Sequence, residues 1–490
     1  MAYLRRRSAL QGLGFLALSG LCPKMLRAES IPAEQSWDVI AVGAGAAGFA
    51  AAIAAREAGA RKVLLIEKMA LAGGHMLVSS GMLNALDPEG QRRMGRTDSA
   101  EQFFRDTFEG GGGIGNPELI ERMVKESPGV IAWLKSIGVE FDPKLYEAYS
   151  GVFPRAHKTT RARSGLAYTQ RLLARARALG VEIRYRTSAQ SIALDAAGRV
   201  AGLVVQTPDG KNETLSALGV VLATGGFGAN LSLRSIWAPD IPVDLGTTYS
   251  PGRMNEDPAT GDGIRMTLSA GGAVTGMEYV LAIPFWGGRM LDYPGAEIFL
   301  TTDGMRFTDE TAAWDTVFSD LIATGATEFW VVTDSRSVKG ATFATKMQQG
   351  LADSAETLEE FARKMGVPLK RLERTFRLYN EAARNDMDPE FGRTRFLQDL
   401  SKPPYYFGRE RFEVHYTCGG IAVLPDARVR KGSEFSSEAI PGLYAAGETT
   451  GGLHGKFRLG GSGLLDAFVF GRIAGKNAAL HALRDQAKPL

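Results

Sequence analysis

Residues 37–48 read W-D-V-I-A-V-G-A-G-A-A-G, and the fold follows from them. Val39, Ile40, Ala41 and Val42 form a short apolar run suited to a strand buried on both faces. Gly43, Gly45 and Gly48 complete G-x-G-x-x-G, and residues 46–58 continue as a helix of small side chains. The first glycine permits a tight turn, the second lets a pyrophosphate approach the backbone, and the third lets helix and strand pack closely. The helix start adds unpaired N–H groups and the positive end of a dipole. A second strand, residues 62–66, ends at Glu67, 19 residues past Gly48. That is the spacing at which a carboxylate meets a ribose hydroxyl. The glycines alone would be a weak sign. Strand, glycines, helix, strand and acid in register predict a Rossmann-like dinucleotide-binding unit, with Ala46 and Ala47 opening its helix beside the phosphates.

At 490 residues the chain is too long for one compact core, so at least two lobes are expected. Its 44% apolar and 23% charged composition is that of an ordinary globular protein. A formal net charge of +3 gives no case for a nucleic-acid partner. Arg5, Arg6, Arg7, Lys24 and Arg27 all precede the first acid, Glu29, and without these five charges the remainder falls from +3 to −2.

Residues 1–28 have the layout of an export signal. The arginines are followed by an apolar stretch, residues 12–21, too short to span a bilayer, and by Leu26-Arg27-Ala28, a plausible cleavage site. Arg6-Arg7-Ser8-Ala9-Leu10 resembles a twin-arginine signal, whose route exports folded, cofactor-loaded proteins and implies the periplasm. Cys22 would leave with the leader, so Cys418 remains as a free thiol. No C-x-x-C-H is present for c-type haem attachment, and no integral membrane segment is expected after the leader.

Further along, Gly73-Gly74-His75 and Ser79-Ser80-Gly81 make a second glycine-rich loop that would approach a ligand seated on the first. Helices are expected at 117–137, 166–179, 358–364, 369–383 and 464–483. Strands are expected at 182–185, 191–194, 200–206, 219–223 and 442–446. From residue 278 aromatics and prolines cluster, and past His415 the glycine-rich pattern returns. The domain reading is therefore a nucleotide-binding lobe built from residues 29–277 and 416–490, with residues 278–415 inserted.

Taken together, V-G-A-G-A-A-G at 42–48, Glu67, G-G-H at 73–75, A-T-G-G-F at 223–227, G-D-G at 261–263 and G-M-R-F-T-D-E at 304–310 form a specific set. V-H-Y-T-C-G-G at 414–420, A-A-G-E at 445–448 and G-G-L-H-G-K-F-R-L-G-G-S-G-L-L-D at 451–466 complete it. In these segments the chain resembles the fumarate reductase and succinate dehydrogenase flavoproteins. Within them it is most similar to the soluble periplasmic branch of flavocytochrome c and urocanate-reductase-type enzymes, without a haem domain. The resemblance implies an α/β fold, an FAD-binding Rossmann-like domain with an inserted α+β capping domain, and a substrate held against the flavin between the lobes. It implies FAD contacts from Gly43, Gly45, Ala46, Ala47, Gly48, Glu67, Gly74, His75, Ser80, Gly81, Ala189, Thr224, Gly225, Asp262, Gly447, Glu448, Gly463 and Leu464. The helix starting near Leu464 would direct its dipole at the flavin pyrimidine edge, and Glu448 would contact the ribityl chain. Membrane-bound members carry the flavin covalently on a histidine near position 75. The soluble branch holds it noncovalently, the reading favoured here, with attachment through His75 as the alternative.

In this family a histidine and an arginine grip a substrate carboxylate, and His415 and Arg458 match those positions. The arginine fork pairs bidentately with a planar carboxylate. A structural ion pair for Arg458 and a core position for His415 are the competing readings. Family reductases also place a proton-donating arginine shortly after the glutamate of G-x-R-F-x-x-E. Here that position is Trp314, whose indole cannot deliver a proton in that role. Met290 and Tyr293 stand near where the donor's usual partners lie, and Ile283 stands where a histidine is expected. The donor is left among Tyr293, Tyr416 and Arg289. Trp314, Arg289, Phe285 and Trp286 would accommodate a larger, more apolar substrate, though Phe285 and Trp286 suit a lobe core equally well.

The function expected is reduction of the C=C bond of an α,β-unsaturated carboxylate, a larger or aromatic monocarboxylate rather than fumarate. A separate cytochrome c or quinol dehydrogenase would supply electrons. Two alternatives are a dehydrogenase introducing a C=C bond into a saturated, ketosteroid-like substrate, and an electron relay without a substrate.

Overall fold

A computed structural model describes residues 36–148, 152–160, 164–250, 257–340 and 342–487, so the leader expected over residues 1–28 lies outside them. The chain runs through β1 (Trp37–Val42), α1 (Ala46–Glu57), β2 (Val63–Ile66), β3 (Glu182–Arg184), β4 (Ser188–Leu194), β5 (Val200–Gln206) and β6 (Asn212–Leu222). It continues through α2 (Asp262–Ser269), β7 (Tyr405–Thr417), β8 (Arg428–Arg430), β9 (Ala439–Ala445) and α3 (Ser462–Gln486). Two compact units emerge. Unit 1 holds residues 36–243, 257–280 and 416–487; unit 2 holds residues 281–415 and also 244–250. The insertion expected from residue 278 thus starts at 281 and recruits an earlier segment.

Unit 1 is organised on a sheet in the order β8-β9-β6-β1-β2-β3, with β5 and β4 added antiparallel beyond β6. β1 is parallel to β2 and β6, and β9 is parallel to β6. Their registers pair Val42 with Leu222 and Leu222 with Ala445, so three strand ends stand level. These ends deliver Gly43, Thr224-Gly225 and Gly447-Glu448 to one edge of the sheet. That carboxyl edge is where open α/β sheets bind ligands. β6 is longer than the strand expected at 219–223. Its first half is polar and exposed, pairs with β5, and carries no buried run to read.

α1 is buried from Ala46 to Ala55 and packs on α3. The two helices approach closely because a Cβ on Gly471 or Gly475 would stand 2.5 and 2.0 Å from the carbonyl oxygens of Ala47 and Ala51. Small residues on both faces are what this contact requires, which explains the alanine-rich sequence of α1.

Unit 2 is α+β. Its sheet runs Val280–Pro284, β7, Glu328–Thr333, Ile298–Leu300, with Ala352–Ala355 also paired to β7. Leu358–Met365 and Leu369–Asn385 supply Phe361, Leu372, Phe376 and Tyr379 to its core. A chain of buried charges runs beneath. Arg306 forks onto Glu310 at 2.8 and 2.9 Å and reaches Asp388 at 2.8 Å. Arg393 meets Glu310 at 2.7 Å and the Glu297 carbonyl at 3.0 Å. The arginine and glutamate of the G-x-R-F-x-x-E segment, at i,i+4 spacing, are therefore paired with each other inside unit 2. Among the described residues no helix is long and apolar enough to cross a membrane.

Candidate active site

At the carboxyl edge of unit 1, Gly43 adopts φ +103°, and a Cβ there would lie 2.4 Å from the Ala223 carbonyl oxygen. A Cβ on Gly48 would lie 1.7 Å from the Gly43 carbonyl oxygen. Both positions are closed to any side chain. Gly45 differs, because its Cβ would have no atom within 4 Å. The middle glycine therefore keeps a space beside the backbone clear, as a bound phosphate requires. Gly45 also caps α1 with no side-chain bond, and no acid occupies the first turn, so Ala46 and Ala47 present a helix start free to meet an anion.

Glu67 closes this loop. Its Oε2 accepts the Ala44 N–H and its Oε1 the Met69 N–H, both at 2.8 Å. Each oxygen retains a lone pair for a ribose hydroxyl. Gly73 donates its N–H to the Ala44 carbonyl at 2.8 Å, and a Cβ on Gly74 would lie 3.8 Å from the Gly45 Cα. The second glycine-rich loop thus lies against the first. Gly81 adopts φ +67° and its carbonyl accepts from the Tyr168 hydroxyl at 3.1 Å, while Ser80 is exposed beside it. Ala189 is buried on β4, two residues past Thr187, whose N–H meets the Glu67 carbonyl at 2.9 Å. Thr224 bonds Thr449 at 2.9 Å and accepts the Gly263 N–H at 3.2 Å, and Gly225 turns with φ +74°. Asp262 is committed within the protein to Lys68 at 2.8 Å. A Cβ on Gly447 would meet the Ala47 Cβ at 2.9 Å, which seats the Glu448 turn on α1.

His75 lies between two carboxylates. Its Nε2 is 2.8 Å from Asp257 and its Nδ1 is 3.4 Å from Glu448. Burial alone would lower the imidazole, but hydrogen bonds and charge from Asp257 and Glu448 outweigh it and raise the ring from 6.5 to about 10. His75 is therefore a cation at neutral pH with both nitrogens engaged. Glu448 uses its other oxygen to accept the Thr417 N–H at 3.1 Å.

α3 begins on Gly461 at φ +85°, with no side-chain cap and no acid in its first turn, which contains Gly463 and Leu464. Asn84 fixes this start by donating to the Gly460 carbonyl at 2.8 Å. Arg458 precedes it, 8% exposed, with its guanidinium 4.7 Å from the centre of the Tyr416 ring. It donates to the Leu459 carbonyl at 3.0 Å, and its Nε is buried without a partner. Among the described residues no carboxylate pairs with it. Tyr416 donates its hydroxyl to Asp466 at 3.2 Å; burial, reinforced by the charges of Asp466 and Glu448, pushes that hydroxyl well above its usual 10. Burial likewise pushes the Cys418 thiol up to about 12.

In unit 2, His415 bonds Thr248 at 2.9 Å. Arg289 meets the fully buried Glu297 at 2.8 Å, and its guanidinium lies 5.1 Å over the Trp314 ring. Burial raises Glu297 above the usual carboxylate range. Trp314 is 3% exposed, stacked on Phe299 at 6.1 Å and edge-on to Phe412 at 6.0 Å. The structure thus places this indole in the core of unit 2 instead of at a surface open to substrate, because the aromatic neighbours of the sheet enclose it. Phe285 and Trp286 are 45% and 36% exposed, with Trp286 donating to Glu413 at 2.6 Å. The Tyr293 hydroxyl accepts the Val338 N–H at 2.9 Å.

Sequence reasoning missed Asp257, His454 and Asp466. Asp466 carried a signal, a lone acid in the apolar run L-L-D-A-F-V-F of a buried helix. Asp257 lies in no pattern that could have exposed it.

These residues fit FAD. Two uncapped helix starts, a clear space at Gly45 and a carboxylate at the end of β2 are what its pyrophosphate, flavin and ribose need. Residues 38–464 match the model of the FAD binding domain family. The chain is 32% identical to the fumarate reductase (cytochrome) of Shewanella frigidimarina, covering 91% of this chain and 78% of the relative. It is 32% identical to the urocanate reductase of Eggerthella lenta, covering 90% and 74%. The open conformation of a flavocytochrome c3 fumarate reductase superimposes with TM-score 0.76 at 30% identity, covering 92% of this chain and 79% of that one. The chain belongs to the fumarate reductase and succinate dehydrogenase flavoprotein family and is an FAD-dependent oxidoreductase.

Proposed function

We propose that this enzyme reduces the C=C bond of an α,β-unsaturated monocarboxylate with an apolar or aromatic end, in the periplasm, with electrons from a separate cytochrome c or quinol dehydrogenase. The observation that carries this reading is Arg458. A buried guanidinium without a counter-ion is strongly disfavoured unless an anion meets it, and its fork suits a carboxylate. The relatives are named for unsaturated acids, which supports the same class.

Gly45, Glu67, Gly74, Thr224, Glu448 and the start of α3 would hold FAD. Once reduced by the external donor, a flavin held there would supply the hydride equivalent that such a reduction needs. Arg458 holds the carboxylate and stabilises the charge that develops on it as the double bond is lost. His415, bonded to Thr248, is the histidine that the family resemblance pairs with this role. A proton then goes to the α-carbon, which completes a two-electron, two-proton reduction. Of the three candidate donors, Tyr416 has its proton committed to Asp466. Arg289 is backed by a carboxylate whose raised affinity for protons lets it replace the proton given up. The FAD is held noncovalently, because both ring nitrogens of His75 are already bonded.

The position of Trp314 bears on substrate choice, since it replaces a donor arginine with a core indole. Fumarate should be a poor oxidant, because its second carboxylate would find an indole where the family has a cation. With reduced viologen as donor, cinnamate-like acrylates should exceed fumarate in kcat/KM. Arg458→Met should lower kcat/KM roughly ten- to a hundredfold with FAD content unchanged. Fumarate as the best oxidant would overturn the substrate shape; full activity of Arg458→Met would overturn the carboxylate. Dehydrogenation of a ring ketone without reduction of any acrylate would install the reverse chemistry.

A further inference from the structure

Arg458 raises a question its own contacts do not answer. A long side chain has many rotamers, and this one has a single hydrogen bond, to the carbonyl of the adjacent Leu459. What holds the guanidinium is the Tyr416 ring, 4.7 Å away. Gly463 leaves room for both, since a Cβ there would stand 3.1 Å from the Arg458 Cδ and 3.3 Å from the Tyr416 Cε2. The ring is set in turn by two contacts. Its hydroxyl donates to Asp466 Oδ2 at 3.2 Å. The ring also makes a T-shaped contact with His454, with ring centres 5.6 Å apart and planes at 81°. Asp466 and His454 are 2% and 3% exposed and stand 3.5 Å apart. An acid and a histidine buried together inside an apolar helix packing would be replaced by apolar residues at little loss of stability, unless the tyrosine needs them.

We propose that Asp466 is a positioning residue for Arg458, acting through Tyr416, whose ring is a shelf for the guanidinium and whose hydroxyl is the tether. Tyr416 is then no proton donor. The inference rests on the carboxylate reading of Arg458 and deepens it by naming what aims the arginine. It predicts effects on carboxylate binding, and so on KM, in place of the loss of kcat that a missing acid would cause.

The test uses the full-length, FAD-loaded protein with fumarate, acrylate and cinnamate as probes, by flavin absorbance titration and by turnover with reduced viologen. Tyr416→Leu removes the shelf and should raise Kd and KM roughly ten- to thirtyfold, the scale of a desolvated cation–π contact. Tyr416→Phe keeps the ring and loses the tether, and should raise KM severalfold while kcat is kept. Asp466→Ala should resemble Tyr416→Phe. Asp466→Asn, whose amide oxygen still accepts from the hydroxyl, should recover most of the loss, while Asp466→Leu, which fills the space without an acceptor, should not, a split that a general packing role would not show. Should Asp466→Ala lose FAD, the Tyr416 pair decides. A hundredfold fall in kcat for Tyr416→Phe, wild-type KM for Tyr416→Leu, or no rescue by Asn over Ala would overturn the shelf alone, given wild-type activity. A wild type that neither binds nor reduces any of the three acids removes the carboxylate reading, and the shelf with it.

Discussion

Buried arginines of units 1 and 2 can be compared by what surrounds them. In unit 2, Arg306 and Arg393 share Glu310, and Arg306 also holds Asp388. In unit 1, Arg458 is buried to a similar degree, yet it touches a ring and one carbonyl, and no carboxylate among the described residues. The same side chain is paired where the protein supplies its counter-ion, and where it does not, the guanidinium is the one proposed to meet a substrate carboxylate. Motif alone could not separate Arg306 from Arg458, because both lie in segments that carry the family resemblance.

The largest expected effect tests that division. Glu310→Ala leaves Arg306 and Arg393 buried without their shared partner and should destabilise the protein by about 3–5 kcal/mol. Arg458→Met removes a charge that the protein does not pair, so its urea midpoint should match or exceed the wild type. Equal loss of stability in both variants would erase the distinction drawn between the two sets.

A second contrast lies within one loop. Gly48→Ala places a Cβ 1.7 Å from a backbone oxygen, while Gly45→Val places one where no atom lies within 4 Å. Gly48→Ala should therefore damage folding itself. Gly45→Val should fold and elute without yellow colour, because its side chain fills the space that a pyrophosphate would take. Unfolding midpoints and FAD per chain, measured together, read the two effects separately. A Gly45→Val protein that retains FAD would move the pyrophosphate away from this loop.

The nucleotide-binding unit was legible because its signals are local. A buried strand, three glycines and an acid at fixed spacing leave few alternatives, and the observed ends of β1, α1 and β2 fall within a residue or two of those expected. Unit 2 was legible as an insertion but not as a sheet. The 13-residue β7 alternates polar and apolar residues around a glycine and carries the pairing for three other strands, a long-range property that no window shows. Trp314 reads as a possible substrate surface by its position after a motif. Burial by Phe299 and Phe412, distant in sequence, decides otherwise. Asp257 is 182 residues from His75, so the pair that fixes its charge could not be read along the chain.

The smallest expected effect compares two histidines with opposite behaviour. His75 has its pKa raised from 6.5 to about 10 by Asp257 and Glu448, against the opposing pull of burial. A group whose folded pKa is raised adds stability that is fully present below the unfolded value and is lost as pH rises through the folded one. The contribution of His75 should thus be whole near pH 6 and decline toward pH 10. His454 is lowered by burial, which outweighs the nearby Asp466. Its neutral ring therefore detracts from stability below about pH 6.5, where the unfolded chain takes up a proton that the folded chain refuses. Urea midpoints from pH 5 to 10 should show the gap between wild type and His75→Asn closing as pH rises, while His454→Asn should flatten the acid side. The same cationic state bears on the flavin, since a ring nitrogen that carries a proton and is bonded to a carboxylate cannot attack it. Acid-precipitated wild type should accordingly release yellow FAD into the supernatant. Colour retained in the pellet, or a His75→Asn gap that stays constant to pH 10, would mean that the two carboxylates do not hold His75 as a cation.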